Sequence, residues 1–223
     1  MTEKFRLENI ILRREQSSDH RENENVTREA FWNNYVPGCD EHYLLHIMRD
    51  NSAFVHELNF VAVYDGKIVG NAVYAKSLIK TDIGTEYEML GLGPISVLPE
   101  YQSKGIGGYL ISHTRQIARN MGYRAILLYG DPAYYSRHGF AAAESYDIRT
   151  SDNMYAEALQ VCELYEMALS DVSGCYFEDE VYEIDEAAAV EFDKTFPQKK
   201  KIKGTASQKR FLELVDSRKE RIE

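Results

Sequence analysis

The sequence predicts an α/β fold of six or seven strands and about four helices, and three observations carry that expectation. Apolar residues recur at helical spacing up to about residue 48 and alternate from Asn59 onward. An Asp65-Gly66 pair joins two alternating runs, the chemistry of a tight hairpin turn. A further extended run ending at Leu98 passes through a glycine-rich loop into the most regular helical pattern of the chain, Gly105 to Met121.

The elements follow in order. Phe5 to Arg13 contains Glu-Asn-Ile-Ile-Leu-Arg, a short strand-like run. Ser18 or Asp19 caps a helix running through Trp32, with Val26, Ala30 and Phe31 on one side, and Pro37-Gly38 breaks it. Asp40 caps a second helix, with Tyr43, Leu44, Ile47 and Met48 at helical spacing. Asn59 to Tyr64 and Lys67 to Ala75 form the hairpin. Glu86 to Leu98 is a third strand in this run, interrupted by Gly91, Gly93 and Pro94, and proline inside a strand demands an edge or a bulge. In the helix from Gly105, Leu110, Ile111, Ile117, Ala118 and Met121 share a face, and Gly122 stops it. Ala125 to Tyr129 is a short buried strand, Pro132 to His138 a short helix, and Phe140 resumes extended structure.

Beyond about Thr150 the pattern thins, although Leu159 to Tyr165 reads as one more strand. Residues 176–193 are rich in acids without a single Lys or Arg, and residues 194–203 are rich in lysine. That reversal predicts a surface appendage that folds back on itself.

Composition narrows the function. Lys plus Arg number 26 and Asp plus Glu 36 among 223 residues, a formal charge of −10. Such a surface argues against nucleic acid and anionic membranes, whose binding rests on Lys and Arg. A hydrophobic share of 44% against 28% charged residues excludes disorder of the whole chain. The apolar runs fall short of the ~20 residues of a membrane helix. Residues 1–20 are charged throughout, without the apolar centre of a signal peptide. Cys39, Cys162 and Cys175 form no CxxC pair, so reduced thiols in the cytoplasm are the expectation. Cys39, His42 and His46 have a metal-like spacing, but no fourth ligand is evident and no metal is expected.

The informative segment is Pro94 to Leu110. A strand turns at Pro99, crosses a loop and enters the strongest helix, whose first N–H groups lack partners and carry partial positive charge. Gly105, Gly107 and Gly108 remove side chains that would block an anion, and Lys104 adds a charge. The expected ligand is a phosphate, most simply a diphosphate. GxxxxGK[ST] is not met because Lys104 precedes the glycines, and GxGxxG is not met because the third glycine is missing.

This segment resembles the GNAT superfamily of acyl-CoA-dependent N-acetyltransferases. Their Q/R-x-x-G-x-G/A motif is met by Gln102, Ser103, Lys104, Gly105, Ile106 and Gly107. Ile95, Ser96, Val97, Leu98 and Pro99 are similar to the family's strand leading into the loop, and Tyr134 to Phe140 matches its YxxxGF element. The specific resemblance covers about residues 58–141. It implies that loop amides, with Gly108 beside them, bind the diphosphate of acetyl-CoA as co-substrate. It also implies that the pantetheine arm pairs with the strand carrying Ile95, Ser96 and Val97. A bulge at Gly91 to Pro94 would push that strand from Ala125–Tyr129 and free its backbone for the ligand.

Acetyl transfer to an amine needs a neutral amine, donors for the oxyanion and a proton for the leaving thiolate. Tyr135 aligns with the family tyrosine that often protonates the sulfur, with Tyr134 its nearest competitor. The base is less sharply marked. Glu86, Glu88 and Leu90 share a strand face, and Glu88 is the candidate, acting through water, with solvent alone as the alternative. Some family members place a glutamate where this chain has Gly91. Where the family often has Asn before the last helix, this chain has Gly130-Asp131-Pro132, with Asp131 as a helix cap.

The resemblance thus implies a GNAT-like mixed, mostly antiparallel splayed sheet. Residues 1–150 form the acetyltransferase-like domain, and residues 151–223 a C-terminal extension with an extra strand and a charged tail. The expected activity is acetyl-CoA-dependent N-acetylation of a primary amine. The acceptor stays open between a small molecule and a protein, and a homodimer is allowed. The rival reading is a non-catalytic acyl-CoA-binding or sensing module, for which the missing side chain at Gly91 is the best argument.

Overall fold

A computed structural model of the chain describes residues 5–221. From the N-terminus, β1 (Ile11–Arg14) leads to α1 (His20–Phe31) and α2 (Glu41–Met48). The hairpin follows as β2 (Phe60–Tyr64) and β3 (Lys67–Lys80), with Asp65 and Gly66 both at positive φ, 51° and 74°, as a tight turn requires. Next come β4 (Glu86–Val97), α3 (Ile106–Asn120), β5 (Ala125–Tyr129) and α4 (Pro132–Tyr135). Then come β6 (Ala141–Ala142), β7 (Ile148–Arg149), β8 (Met154–Ala156), β9 (Leu159–Glu163) and β10 (Gly174–Phe177). The chain closes with α5 (Glu186–Asp193), α6 (Ala206–Asp216) and β11 (Arg218–Glu220).

Among the described residues, nine strands form one mixed, mostly antiparallel sheet, in the order β1-β2-β3-β4-β5-β9-β6 with β10 and β7 added beside the far end of β3. β8 and β11 make a separate two-stranded ribbon. Side-chain alternation splits the core. Ala72 and Tyr74 of β3, Leu90 and Leu92 of β4, and Ile126 and Leu128 of β5 pack with Leu110, Ile111 and Ala118 of α3. Val73 and Ala75 face the other way, against Leu45 and Met48 of α2. The sheet is therefore covered by α3 on one face and by α1 and α2 on the other, with α5 packed outside α2.

The predicted bulge is present. Ala72 opposes Ile95 and Tyr74 opposes Leu92, so β4 spends one more residue than β3 over this stretch, at Gly93-Pro94. β4 and β5 pair in parallel only at Leu90 with Ile126 and Gly91 with Leu127. Beyond Gly91 the two strands part, and the sheet splays.

The extra strand expected at Leu159 to Tyr165 is β9, which lies beside β5 over its whole length; β10, which was not expected, pairs with β3. The acidic stretch does not fold onto the lysines as a unit. Asp193 instead binds the buried Arg28 of α1 at 2.6 Å. Lys199 reaches Glu29 at 2.7 Å, and the Trp32 indole N–H donates to the Lys200 carbonyl at 3.1 Å. Both charged stretches thus pack against α1. Among the described residues no helix is long and apolar enough to cross a membrane.

Candidate functional site

The splay and the N-terminus of α3 bound one cleft of about 540 Å³, lined by Ile95 and Val97 on β4 and by Gln102, Ser103, Gly105, Ile106, Gly107 and Gly108 of the loop. Gly105 holds φ at +89° as the N-cap and offers no side-chain cap to the helix. The first N–H groups of α3 consequently face the cleft without a side-chain acceptor, an arrangement suited to phosphate oxygens. Gln102 braces the loop by donating to the Val97 carbonyl at 3.0 Å.

The glycines have a second purpose that the sequence did not show. A Cβ on Gly107 would run into the Tyr134 hydroxyl, and one on Gly108 would lie 2.5 Å from the His138 ring. Their bareness lets α4 and the turn after it close over the first turn of α3. This brings Tyr134, Tyr135, Arg137 and His138 into the cleft wall. Arg137 lies over the Tyr134 ring with its guanidinium carbon 5.5 Å from the centroid. Burial, with Arg137 and Arg115 nearby, lowers the His138 pKa, so Arg137 is the wall's fixed positive charge.

Two of the expected ligand residues turn their side chains elsewhere. Lys104 donates to the Glu100 carbonyl at 2.6 Å and lies 5.1 Å from the Phe5 and Tyr101 ring centroids, so its charge is not over the loop amides. Arg137, inside the YxxxGF element, supplies the cation instead. Ser96 points away from the cleft by strand alternation. Its hydroxyl donates to Thr27 at 3.1 Å and Asn71 at 3.0 Å, in a buried network that also takes in Asn23 and fixes α1 to the sheet.

Tyr135 is packed among Tyr134, Phe140 and the cleft wall, and burial pushes its pKa well above the ordinary range, so it keeps its proton. Tyr35, from the loop after α1, enters the same wall and is pushed up to about 12 by burial, with Glu41 and Asp131 adding to it. Asp131 caps α4 through the Ala133 N–H at 2.9 Å and also pairs with Arg210 of α6 at 3.0 Å.

Glu88 lies three positions before Gly91, half exposed, in an ion pair with Lys76 at 3.2 Å. The groups that do gather at Gly91 come from the C-terminal segment. The Tyr176 hydroxyl of β10 is buried beside the Ser77 hydroxyl, without a well-formed hydrogen bond, 3.0 Å from where a Gly91 side chain would begin. The Tyr182 hydroxyl donates to the Gly93 carbonyl at 3.0 Å. Glu178, the residue after β10, is exposed and lines a surface groove with Lys76, Ser77 and Glu88. Partial desolvation pushes its pKa up to about 7. No sequence signal marked Tyr176, because it is the pairing of β10 with β3 that carries it to Gly91.

The other constellation serves packing. Cys39 Sγ lies 3.6 Å from His42 Nδ1, whose Nε2 lies 3.2 Å from Asp193, while His46 pairs with Glu24 at 2.9 Å. Burial pushes the Cys39 thiol up and lowers His42 to about 4, so this is a protonated thiol beside a neutral ring.

Comparison with known proteins agrees with this geometry. The acetyltransferase (GNAT) domain family matches residues 56–142. The uncharacterized N-acetyltransferase YhbS of Escherichia coli is 30% identical over 132 residues, which is 59% of this chain and 76% of that one. The uncharacterized N-acetyltransferase YjhQ of the same organism is 36% identical over 94 residues, 42% of this chain and 51% of its own length. Among solved structures, YhbS in complex with CoA superposes with a TM-score of 0.69 at 25% identity, over 79% of this chain and 93% of that one. A GNAT family acetyltransferase from Brucella melitensis in complex with acetyl-CoA gives 0.61 at 29% identity, over 78% and 97%.

Proposed function

The chain belongs to the GNAT family of N-acetyltransferases, and on that premise we propose how its own residues move the acetyl group of acetyl-CoA to a primary amine. The observation that carries the reading is the parting of β4 and β5 after Gly91, directly beside an uncapped α3 N-terminus. The residues present fit the co-substrate. Loop amides and Arg137 suit a diphosphate, the free edge of β4 suits an amide-bearing arm, and the Tyr176 hydroxyl beside Gly91 suits a carbonyl oxygen. Acetyl-CoA supplies an acetyl thioester, whose carbonyl carbon bonds to the amine nitrogen as the C–S bond breaks.

The amine arrives as an ammonium ion and must lose its proton to become a nucleophile. Glu178 takes that proton and passes it to solvent, and it takes the second proton that the nitrogen sheds once it has bonded to the carbonyl carbon. Its pKa near 7 lets it be both ionised and basic at neutral pH. Tyr176 donates to the acetyl oxygen as negative charge develops there. Tyr135 gives its phenolic proton to the departing sulfur and regains one from solvent. Glu88 was the expected base, but its Lys76 partner and its place before the bulge favour Glu178 in that role. The C-terminal segment thus returns to Gly91 the polar groups that a β4 side chain would otherwise provide. A non-catalytic binding module would have no use for a polar hydroxyl aimed at Gly91.

The test is turnover of acetyl-CoA against a panel of amines, read as free thiol. Amine-dependent thiol release is expected; acetyl-CoA binding without release against every amine would favour the binding-module reading.

A further inference from the structure

A second cleft opens where the first one ends. It has a volume of about 810 Å³, and Asn34, Tyr35 and Asp131 line both. Its outer wall is α6, which presents Phe211, Leu214 and Val215, and its inner wall carries Tyr129 at the end of β5. Apolar surface is left uncovered here: Tyr35 is 38% exposed, Tyr129 42% and Val215 46%. The Phe211 ring lies 5.1 Å from the Tyr35 ring, tying α6 to the loop after α1.

The charges that line this cleft are already neutralised. Arg210 binds Asp131 at 3.0 Å and Glu157 at 3.3 Å. Arg218 binds Asp152, whose carboxylate also accepts from the Thr150 hydroxyl at 2.6 Å. An acceptor carrying a carboxylate or phosphate would find no free arginine, and a polyamine no free acid. Breaking either pair to serve a ligand leaves a charge without its partner. What the cleft offers is apolar area, in a volume typical of small-molecule sites. Asn34, Tyr35 and Asp131, which line both clefts, mark where it opens into the first one.

We propose that this cleft is the acceptor site, and that its substrate is a small primary amine on an uncharged aryl or alkyl body. The body lies between Tyr35, Tyr129 and the α6 side chains. The amine end points past Tyr35 and Asp131 into the first cleft, where the nitrogen faces the splay between β4 and β5. The assignment rests on the acetyltransferase reading above. It adds that residues beyond the matched family domain choose the substrate.

The full-length protein is assayed at saturating acetyl-CoA with ethylamine, butylamine, hexylamine and 2-phenylethylamine, with spermidine, glycine and a short peptide as alternatives. Each buried methylene raises kcat/KM about three- to fourfold, so hexylamine exceeds ethylamine by on the order of 10²-fold. Phe211→Ala shortens that gradient about tenfold. Because Phe211 also packs on Tyr35, a second variant uses the half-exposed Val215, and Val215→Glu both shortens the gradient and raises the rate with spermidine. The KM for acetyl-CoA stays unchanged in both.

A flat gradient with thiol still released overturns this assignment and leaves the acetyltransferase reading standing. So does a preference for glycine, spermidine or the peptide, or a gradient untouched by both substitutions. No thiol release with any amine, while acetyl-CoA still raises the melting temperature, also overturns it. Absence of both release and thermal shift overturns the acetyltransferase reading itself.

Discussion

Desolvation raises the pKa of both Tyr135 and Glu178, which in the proposed mechanism suits them to opposite tasks. Removing water disfavours a phenolate, so Tyr135 keeps its proton. Removing water disfavours a carboxylate, so Glu178 rises to about 7 and binds a proton readily near neutrality. Tyr135→Phe keeps the ring and removes the donor. It should lower kcat by roughly 10²-fold while sparing the affinity for acetyl-CoA, measured by single-turnover thiol release and by thermal shift. Full activity would return Tyr135 to a packing role. For Glu178 the active form is the ionised one, so kcat/KM should rise through about pH 7 and then level off, with an acceptor whose own amine titrates well below that. Glu178→Gln should lower the rate and erase this rising limb. The stability effect has its own sign. A carboxylate whose folded pKa is raised costs stability as pH climbs from the unfolded value toward the folded one. Glu178→Gln should therefore raise the melting temperature at pH 8 and leave it unchanged at pH 4. At this scale Tyr135 could be proposed from sequence because its motif is local, whereas the place of Tyr176 beside Gly91 depends on β10 crossing to β3. Where the Lys104 and Ser96 side chains point was not legible, because adjacency in sequence does not fix side-chain direction.

The helix α3 is the element on which co-substrate binding turns. Its amphipathic face fixes it to the sheet through Leu110 and Ile111, and that anchoring aims its uncapped N-terminus at the splay. Gly107→Val would place a branched side chain where the Tyr134 hydroxyl now lies, pushing α4 off the first turn of α3. The expected result is loss of the thermal shift with CoA in a protein whose circular dichroism is unchanged. A retained shift would mean that the diphosphate does not sit on these amides. Elements such as α3, β2 and β5 could be read from periodicity because each is long enough, or buried enough, to show one. The pairs and triplets β6, β7, β8 and β11 carry too few residues for any period. α6 is short and only half covered, so its apolar stripe, which ends in Phe211, Leu214 and Val215, did not stand out from a charged tail. The bulge at Gly93-Pro94 was legible in advance, because proline within a strand has few other homes.

The whole molecule depends on its last third in two separable ways, and truncation distinguishes them. A chain ended at Phe196 would lose α6, β11 and the contacts of Lys199 and Lys200 with α1. It would keep the nine-stranded sheet, α5 and the Asp193–Arg28 pair. It should stay folded and show the thermal shift with acetyl-CoA. It should also lose the preference for apolar amines, because the outer wall of the acceptor cleft is gone. A chain ended at Asp152 would lose β9, which covers β5 from Ala125 to Tyr129, and β10, which brings Tyr176 to Gly91 and leads into Glu178. It would also strip Asp193 from Arg28, a side chain only 1% exposed, leaving a cation without its partner. An open β5 edge and an unpaired buried charge should together give an aggregating, inactive protein. Size-exclusion chromatography and the thiol assay read both outcomes. If the shorter chain were monomeric and active, β9 would be dispensable to the sheet, and the base at the splay would have to be sought on β4 after all, with Glu88 as the nearest carboxylate.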